Sequence, residues 1–380
     1  MKKIFNIFLG ISSLIFCFSI FNTASALNVV FSEDRPDLRT LDPRITQSRH
    51  EEMIIVQMFD QLISADSNGN LYPGLAKSWD VSSDGLHYTF NLRDDVTFHD
   101  GTKFNAAAVK VTFDSIVDPE TGSQGAVDIL GPYASSDVVD EYTVRVNFSR
   151  RYGSALSAFT ETELSIVSPT ALDSLGNDGF GMSPVGTGPF MFTNWEANKK
   201  VEMVKNPDYN WAPEYMDGSG PSKVDTLTYR LIKDTSTRVA ALESGEVDIA
   251  ELVPPLDMKR FDGSGKLSTI VGTVSGLPYS AFLNTTVGQF QDIKVRQAFF
   301  YSLDRVKMTN DLFFGYAEAA FGPISSATPS YWKGNEDYYQ YDTAKAESLL
   351  EEAGWKMGSG GVREKNGEAL SIFFPCLLEP

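Results

Sequence analysis

Alternating apolar and polar residues predict a half-buried β-strand over residues 86–93. Apolar side chains occupy every second position of this stretch, namely Leu86, Tyr88, Phe90 and Leu92. Because successive side chains of a strand point to opposite faces of a sheet, these four are predicted to face a core, with His87 and Arg93 outward. Glycine-containing turns at 83–85 and 100–101 bound the region. The pattern therefore predicts the framework of a sheet.

Strand and helix signals alternate along the rest of the chain. Short apolar or alternating runs predict strands at 28–31, 224–232 and 247–249, and a hairpin turn at 66–69. Helical spacing of apolar residues predicts helices over 51–62, 106–117, 236–243, within 292–315 and over 344–353, with Asn105, Gly245 and Asp342 as caps. Such a mixture is typical of α/β or α+β lobes.

The first 26 residues have the pattern of a secretory signal peptide. Lys2 and Lys3 precede an apolar run over 4–21, and Ala24-Ser25-Ala26 supplies the small residues of a cleavage site. A membrane anchor is the alternative, since the run approaches the ~20 residues that span a bilayer. The small residues and the absence of a following charged stop favour cleavage after Ala26.

Length, charge and cysteine content restrict the number of lobes, the partners and the disulfide bonds that the mature protein can have. Removal of the first 26 of the 380 residues would leave 354, more than one hydrophobic core usually holds, so at least two lobes are expected. Loss of the two leader lysines changes the formal charge from −18 to −20, which disfavours nucleic acid and anionic membrane as partners and favours a monomer. Cys17 would leave with the leader, so Cys376 would have no internal disulfide partner.

The motifs of common hydrolases and nucleotide-binding enzymes are absent from the sequence. Residues 181–186 approach G-x-S-x-G in composition but not in spacing, and Pro184 would remove an amide that an oxyanion hole needs. His50-Glu51 lacks the second histidine of a zinc protease, because Ile54 stands in its place. Residues 263–266 lack the spacing of a P-loop. A secreted hydrolase is therefore not favoured, and no cofactor is expected.

Two of the three histidines raise the alternative of a metal site. His87 and His99 lie near Asp100 in the sequence, on or beside neighbouring strands. A closed zinc site needs four ligands, however, and no cysteine lies in this region. We interpret both histidines as surface or hinge residues, and we predict no metal site.

An ordered series of short segments extends over about residues 40–355. The segments are Thr40-Leu41-Asp42-Pro43, Leu75-Ala76-Lys77-Ser78-Trp79, Tyr88-Thr89-Phe90-Asn91-Leu92-Arg93, Val96-x-Phe98-His99-Asp100-Gly101-Thr102, Gly186-Thr187-Gly188-Pro189-Phe190, Asn206-Pro207-Asp208-Tyr209, Ser244-Gly245-Glu246-Val247-Asp248, Val295-Arg296-Gln297-Ala298, Asp304-Arg305, Tyr341-Asp342-x-x-Lys345-Ala346 and Ala353-Gly354-Trp355. In content and order they resemble the extracytoplasmic solute-binding proteins, family 5, of ABC importers. Members of this family bind dipeptides, oligopeptides, nickel or glutathione.

The resemblance implies an α/β fold of the type II periplasmic-binding-protein kind, with two lobes, a hinge and an inserted extra domain. By analogy, residues 27–60 and 184–277 form lobe I, residues 61–183 the inserted domain, and residues 278–380 an incomplete lobe II. Residues 370–378 agree with incompleteness, because this apolar strand, interrupted by Pro375, needs neighbours on both sides. Family members continue well beyond the point that corresponds to Pro380.

The resemblance also implies where a ligand would bind. The ligand-contacting segments of the family correspond here to Asp37, Leu38, Arg39, Ser123, Gln124 and Gly125. Gly125 stands where some members carry an aromatic residue, and the aspartate that pairs with a peptide's ammonium group in the family would lie beyond Pro380. An ordinary surface loop is the alternative for residues 37–39.

Two further segments of the resemblance have structural interpretations. Residues 186–189 are predicted to form a turn whose glycines permit special φ angles, rather than a phosphate cradle. Arg296 and Asp304-Arg305 are predicted to form an ion network or a surface for the permease.

Together these features predict the periplasmic binding component of an ABC importer for short peptides, working by hinge closure without chemical turnover. The expected partners are a small solute and an inner-membrane ABC permease with its ATPase subunits. Within the family, binding of nickel, a nickel chelate or glutathione is the alternative. A truncated remnant without transport is another, and it predicts low solubility because the apolar strand at 370–378 would be exposed.

Overall fold

The computed structural model describes residues 26–31, 38–216, 218, 220–329 and 331–373. Residues 1–25 of the leader predicted over 1–26, Asp37, and the part of the predicted strand at 370–378 that follows residue 373 lie outside the described residues. Within the described ranges, no helix combines the length and apolar character that a membrane crossing requires.

Strands and helices alternate along the described chain. The strands are β1 (Ala26–Phe31), β2 (Ile63–Ala65), β3 (Leu71–Pro73), β4 (Ala76–Val81), β5 (His87–Leu92), β6 (Tyr133–Asp140), β7 (Thr143–Phe148), β8 (Phe190–Glu196), β9 (Lys200–Lys205), β10 (Thr226–Leu231), β11 (Ile249–Ala250), β12 (Lys356–Met357), β13 (Arg363–Lys365) and β14 (Glu368–Ala369). The α-helices are α1 (Arg49–Ile55), α2 (Ala106–Val117), α3 (Gly125–Leu130), α4 (Ala155–Ala158), α5 (Pro169–Phe180), α6 (Thr235–Ser244), α7 (Pro255–Asp262), α8 (Ile293–Tyr301), α9 (Arg305–Phe313) and α10 (Thr343–Glu352). Short 3-10 helices span Pro119–Thr121, Thr162–Leu164, Gly288–Gln291 and Lys333–Asp337.

Five strands form a mixed sheet in the order β11-β1-β10-β9-β8. Strand β1 runs parallel to both β10 and β11, whereas β9 is antiparallel to β10 and β8. Alternate residues of β10 are buried, as a half-buried strand requires: Leu227, Tyr229 and Leu231. They belong to a core built from residues 38–59, 167–180 and 190–231.

A second sheet is antiparallel throughout, in the order β4-β5-β7-β6, and α2 packs against β6 and β7. Strand β5 confirms the predicted alternation, because Tyr88, Phe90 and Leu92 are buried and His87 is exposed. The predicted cap of α2 is also confirmed, since Asn105 Oδ1 accepts a hydrogen bond from the amide of Ala108. The core of this sheet spans residues 62–166, joined by two aromatic residues, at 209 and 211.

Gly186 and Gly188 bring the segment 186–190 directly against the turn that follows α1. A Cβ atom on Gly186 would lie 2.1 Å from the carbonyl oxygen of Met58, and one on Gly188 would lie 2.5 Å from the Met58 carbonyl carbon. Neither glycine has a positive φ, so the prediction that special φ angles require them is wrong. Close approach of two main chains requires them instead.

Two predicted helices are shorter than expected. The helix predicted over 51–62 ends at Ile55, because the carbonyl groups of Gln57 and Met58 accept hydrogen bonds from Phe190 and Gly188. The long helix predicted within 292–315 is instead α8 and α9, since the Asp304 side chain caps a new helix.

Asp60 links the two cores through three hydrogen bonds. Its carboxylate accepts from the Thr187 hydroxyl at 2.8 Å, the Trp211 indole at 2.9 Å and the Tyr209 hydroxyl at 3.1 Å. Burial raises the pKa of Asp60, and the three donors act in the opposite direction. Segments far apart in the sequence therefore depend on a single carboxylate.

Residues 288–373 contain a smaller packed unit in which α8 lies against α10. Its buried residues are Val295, Ala298, Ala346, Leu349, Ala353 and Trp355. Several large apolar side chains near this unit are exposed, including Tyr279, Phe282 and Phe373. Residues 370–373 form no strand, and Phe373 is 88% exposed, so the predicted start of a buried strand is wrong for these described residues.

Candidate ligand-binding site

The carboxyl ends of three parallel strands define one edge of the mixed sheet. Strands β1, β10 and β11 end at Phe31, Leu231 and Ala250. Parallel pairing places Val30 opposite Ala250, so Glu251 leaves the sheet at the end of β1. Ligands of open α/β sheets bind outside the carboxyl ends of their strands. This edge is therefore where a ligand site is expected.

The buried side chain of Glu51 accepts hydrogen bonds from the segment at residues 39–46. One carboxylate oxygen accepts from the amides of Arg39 at 2.6 Å and Thr40 at 3.3 Å. The other accepts from the Thr46 hydroxyl at 2.7 Å. A buried carboxylate requires such donors, and here they fix the main chain at residues 39–46.

The same segment lies beside the loop at 123–124 and Gly125, the first residue of α3. A Cβ atom on Gly125 would lie 3.5 Å from the carbonyl oxygen of Thr46, which is ordinary van der Waals contact. In this loop Gln124 is exposed, and the Ser123 hydroxyl accepts from the amide of Val127 at 3.2 Å. Glu51 thus joins Arg39 to Thr46, and the Thr46 carbonyl lies close to the start of α3.

The predicted ligand residues differ in what they expose. Arg39 is exposed, whereas the Leu38 side chain is only 8% exposed and lies in the core of the mixed sheet. Little of Leu38 is therefore accessible to a ligand. Asp37 lies outside the described residues.

Asp42 and Arg44 form a fully buried ion pair beneath this segment. The guanidinium binds the carboxylate in two places, at 2.6 and 3.0 Å. It also donates to Ser115 of α2 at 3.0 Å and to Asn177 of α5 at 3.2 Å. These bonds compensate both charges, so the pair holds the segment onto the two helices rather than facing a ligand.

His50 and Glu251 were not predicted from the sequence as site residues, although both lie at this edge. His50 Nε2 and Glu251 Oε2 are 4.0 Å apart. Glu251 follows the predicted strand at 247–249 by two residues, which was an available signal. His50 adjoins Glu51, and only the folded chain brings it to β11.

The histidines near Asp100 do not form a metal site among the described residues. His87 is exposed and its Nδ1 lies 2.6 Å from Asn147 Oδ1, whereas His99 Nε2 lies 2.9 Å from the carbonyl oxygen of Gly188. His99 is half-buried and burial lowers its pKa to about 4, so it is not an exposed surface residue, whereas the alternative of a hinge residue stays a prediction. No group of three or more potential metal ligands occurs in the described ranges.

Arg296 and Arg305, in the smaller packed unit over residues 288–373, have structural roles that differ from the predicted ion network. Arg296 donates to the carbonyl oxygens of Phe290 and Gln291, at 2.7 and 3.0 Å. Arg305 donates to those of Ala320 and Tyr339, at 3.2 and 2.8 Å. Within the described residues, both guanidinium groups therefore bind main-chain carbonyl groups rather than acidic side chains.

Comparison with known proteins agrees with this architecture. The glutathione-binding protein GsiB of Pectobacterium atrosepticum is 32% identical over 319 residues, covering 84% of this chain and 60% of that protein. The structure of NikA from Brucella suis in complex with Fe(III)-EDTA matches with a TM-score of 0.74 at 27% identity, covering 90% of this chain and 68% of that one. DppA from Helicobacter pylori in complex with the peptide STSA matches with a TM-score of 0.69 at 26% identity, covering 87% and 66%.

The fold is thus that of the type II periplasmic binding proteins. Residues 70–376 match the family described as bacterial extracellular solute-binding proteins, family 5 Middle, and the chain belongs to this family. Proteins of the family are periplasmic and serve ABC importers. The chain spans about 60% of the length of the curated relatives that it matches.

Proposed function

We propose that this protein binds short peptides in the periplasm and delivers them to an ABC permease with its ATPase subunits. The family match over residues 70–376 is the observation that carries the proposal. The segments at 38–46 and 123–125 support it, since they lie side by side and leave Arg39 and Gln124 exposed. Main-chain hydrogen bonding to an extended peptide tolerates variety in its side chains.

The proposal includes a cleaved leader, a monomer and the division into lobe I, an inserted domain and lobe II. Separate cores for residues 62–166 and for residues 38–59 with 167–231 support an inserted domain. Because Val167 and Phe180 pack in the second of these cores, we place the return to lobe I near residue 167 rather than 184. Hinge closure would then bring lobe II onto the ligand, with no bond broken.

Glutathione is the second candidate ligand, because relatives at about 30% identity are glutathione-binding proteins. Nickel chelates are a third, since a structural neighbour is NikZ from Campylobacter jejuni in complex with Ni(L-His). Glutathione is a γ-glutamyl tripeptide, so it shares with ordinary short peptides an ammonium group, a terminal carboxylate and one α-linked amide.

Calorimetry of the purified mature protein distinguishes the ligand classes. We expect heat of binding with dipeptides and tripeptides and none with nickel chloride. Heat with nickel alone would overturn the peptide assignment, and heat with glutathione alone would establish the second candidate. If the chain is instead a truncated remnant without transport, we expect the protein to aggregate and to bind none of these ligands.

A further inference from the structure

We propose that Glu251, with His50 beside it, binds a cationic nitrogen group of the ligand, an ammonium or a guanidinium. The inference rests on the proposed function and specifies part of its site. Glu251 follows β11 directly, at the edge where the parallel strands end. That edge is where open α/β sheets bind their ligands.

One carboxylate oxygen of Glu251 lacks the donor that its position requires. Its Oε2 atom is shielded from water, yet it has no hydrogen-bond partner in the described part of the chain. His50 Nε2 is 4.0 Å away, beyond hydrogen-bond distance. A shielded carboxylate oxygen without donors is unfavourable, and a ligand N–H group would satisfy it.

The groups around Glu251 leave it available to a ligand. The Tyr229 hydroxyl of β10, which lies near enough to feel its charge, donates instead to the carbonyl oxygen of Met53 at 3.2 Å. About a quarter of the side-chain surface remains exposed, at 26% for Glu251 and 23% for His50. The site therefore opens to solvent on one side.

The main chain next to Glu251 is in an unfavourable conformation. Leu252 has φ 48°, in the left-handed region that residues other than glycine rarely occupy. Its side chain is 55% exposed, so burial of this leucine does not account for the conformation. Strain of this kind clusters at ligand sites, where it orients a neighbouring group.

An ammonium or guanidinium matches these features. Either group presents several N–H donors and a positive charge, and charge-assisted hydrogen bonds to a carboxylate are the stronger kind. In a short peptide the cation can be the amino terminus or a basic side chain. A histidine and one carboxylate are too few for a closed metal site, so a bare metal ion is not favoured.

The test is calorimetry of the mature protein and its Glu251→Gln variant with three peptides: Ala-Ala-Ala, its N-acetylated form and N-acetyl-Ala-Lys-Ala. We expect the substitution to lower the affinity for at least one cationic peptide by about tenfold or more, which corresponds to about 1.4 kcal/mol of binding free energy. Binding of N-acetyl-Ala-Ala-Ala, which has no cation, should stay unchanged and so report a folded variant. Weaker binding of Ala-Ala-Ala would identify the terminal ammonium as the group that Glu251 binds. Weaker binding of N-acetyl-Ala-Lys-Ala would identify a basic side chain.

The matched control is Glu243→Gln, which removes a carboxylate of α6 that pairs with Arg260. It should leave all three affinities unchanged. If Glu251→Gln binds every peptide as tightly as the unaltered protein, the inference is overturned and the proposed function stands. If the unaltered protein binds no peptide, both are overturned.

Discussion

Replacing Gly186 with alanine is expected to lower the free energy of unfolding by about 3 kcal/mol or more. The added Cβ would lie 2.1 Å from the Met58 carbonyl oxygen, and a main-chain atom cannot yield as a flexible side chain can. Relief of the clash would separate the segment 186–190 from the turn after α1 and break hydrogen bonds from Gly188 and Phe190. Urea unfolding followed by tryptophan fluorescence measures the loss.

Gly153→Ala is the matched control for this change. Gly153 has no atom within 4 Å of an added Cβ and no positive φ, so its substitution should alter stability by less than about 0.5 kcal/mol. Equal stability of the two variants would show that the close approach at Gly186 is not required.

Replacing Asp60 with alanine is expected to cost about 3 kcal/mol of unfolding free energy. The substitution leaves the Thr187 hydroxyl, the Tyr209 hydroxyl and the Trp211 indole without their shared acceptor. Unsatisfied donors in a buried position cost more than the net gain of the bonds they once made. The same urea experiment applies, with the midpoint and slope fitted together.

Tyr209→Phe isolates one of the three bonds while keeping the ring. Its cost should be about 1 kcal/mol, a fraction of the cost of removing the carboxylate. A loss for Asp60→Ala no larger than that for Tyr209→Phe would contradict the view that Asp60 serves all three donors.

Local features of the fold were predictable from the sequence because their causes are local. The alternation at Tyr88, Phe90 and Leu92 depends only on the period of a strand, and it is confirmed. The caps at Asn105 and Asp342 depend on a side chain reaching an amide three residues ahead, and both are confirmed.

Features set by contacts between distant segments were not predictable in this way. The sequence does not show that Gly188 meets Met58, so the end of α1 was predicted wrongly, and the contact between His99 and the Gly188 carbonyl was not predicted. Likewise, the break between α8 and α9 follows from an Asp304 cap inside an otherwise continuous apolar pattern.

For the candidate site, residues 37–39 and 123–125 came from resemblance, and they remain a proposal. What the residues alone could not show is how Glu51 holds residues 39–46 beside the start of α3, because this depends on how α1 packs against that segment. Glu251 and His50 were missed for the same reason, since two separate chain segments meet there.

Equilibrium dialysis of the purified mature protein against a mixture of short peptides, followed by mass spectrometry, tests the central claim most directly. A solute-binding protein that acts without turnover should concentrate particular peptides in the dialysis chamber that contains it. Denaturation should then release these peptides intact. Enrichment of intact peptides is the predicted result. No enrichment by a folded, monomeric preparation, or recovery of cleaved peptides, would contradict the account.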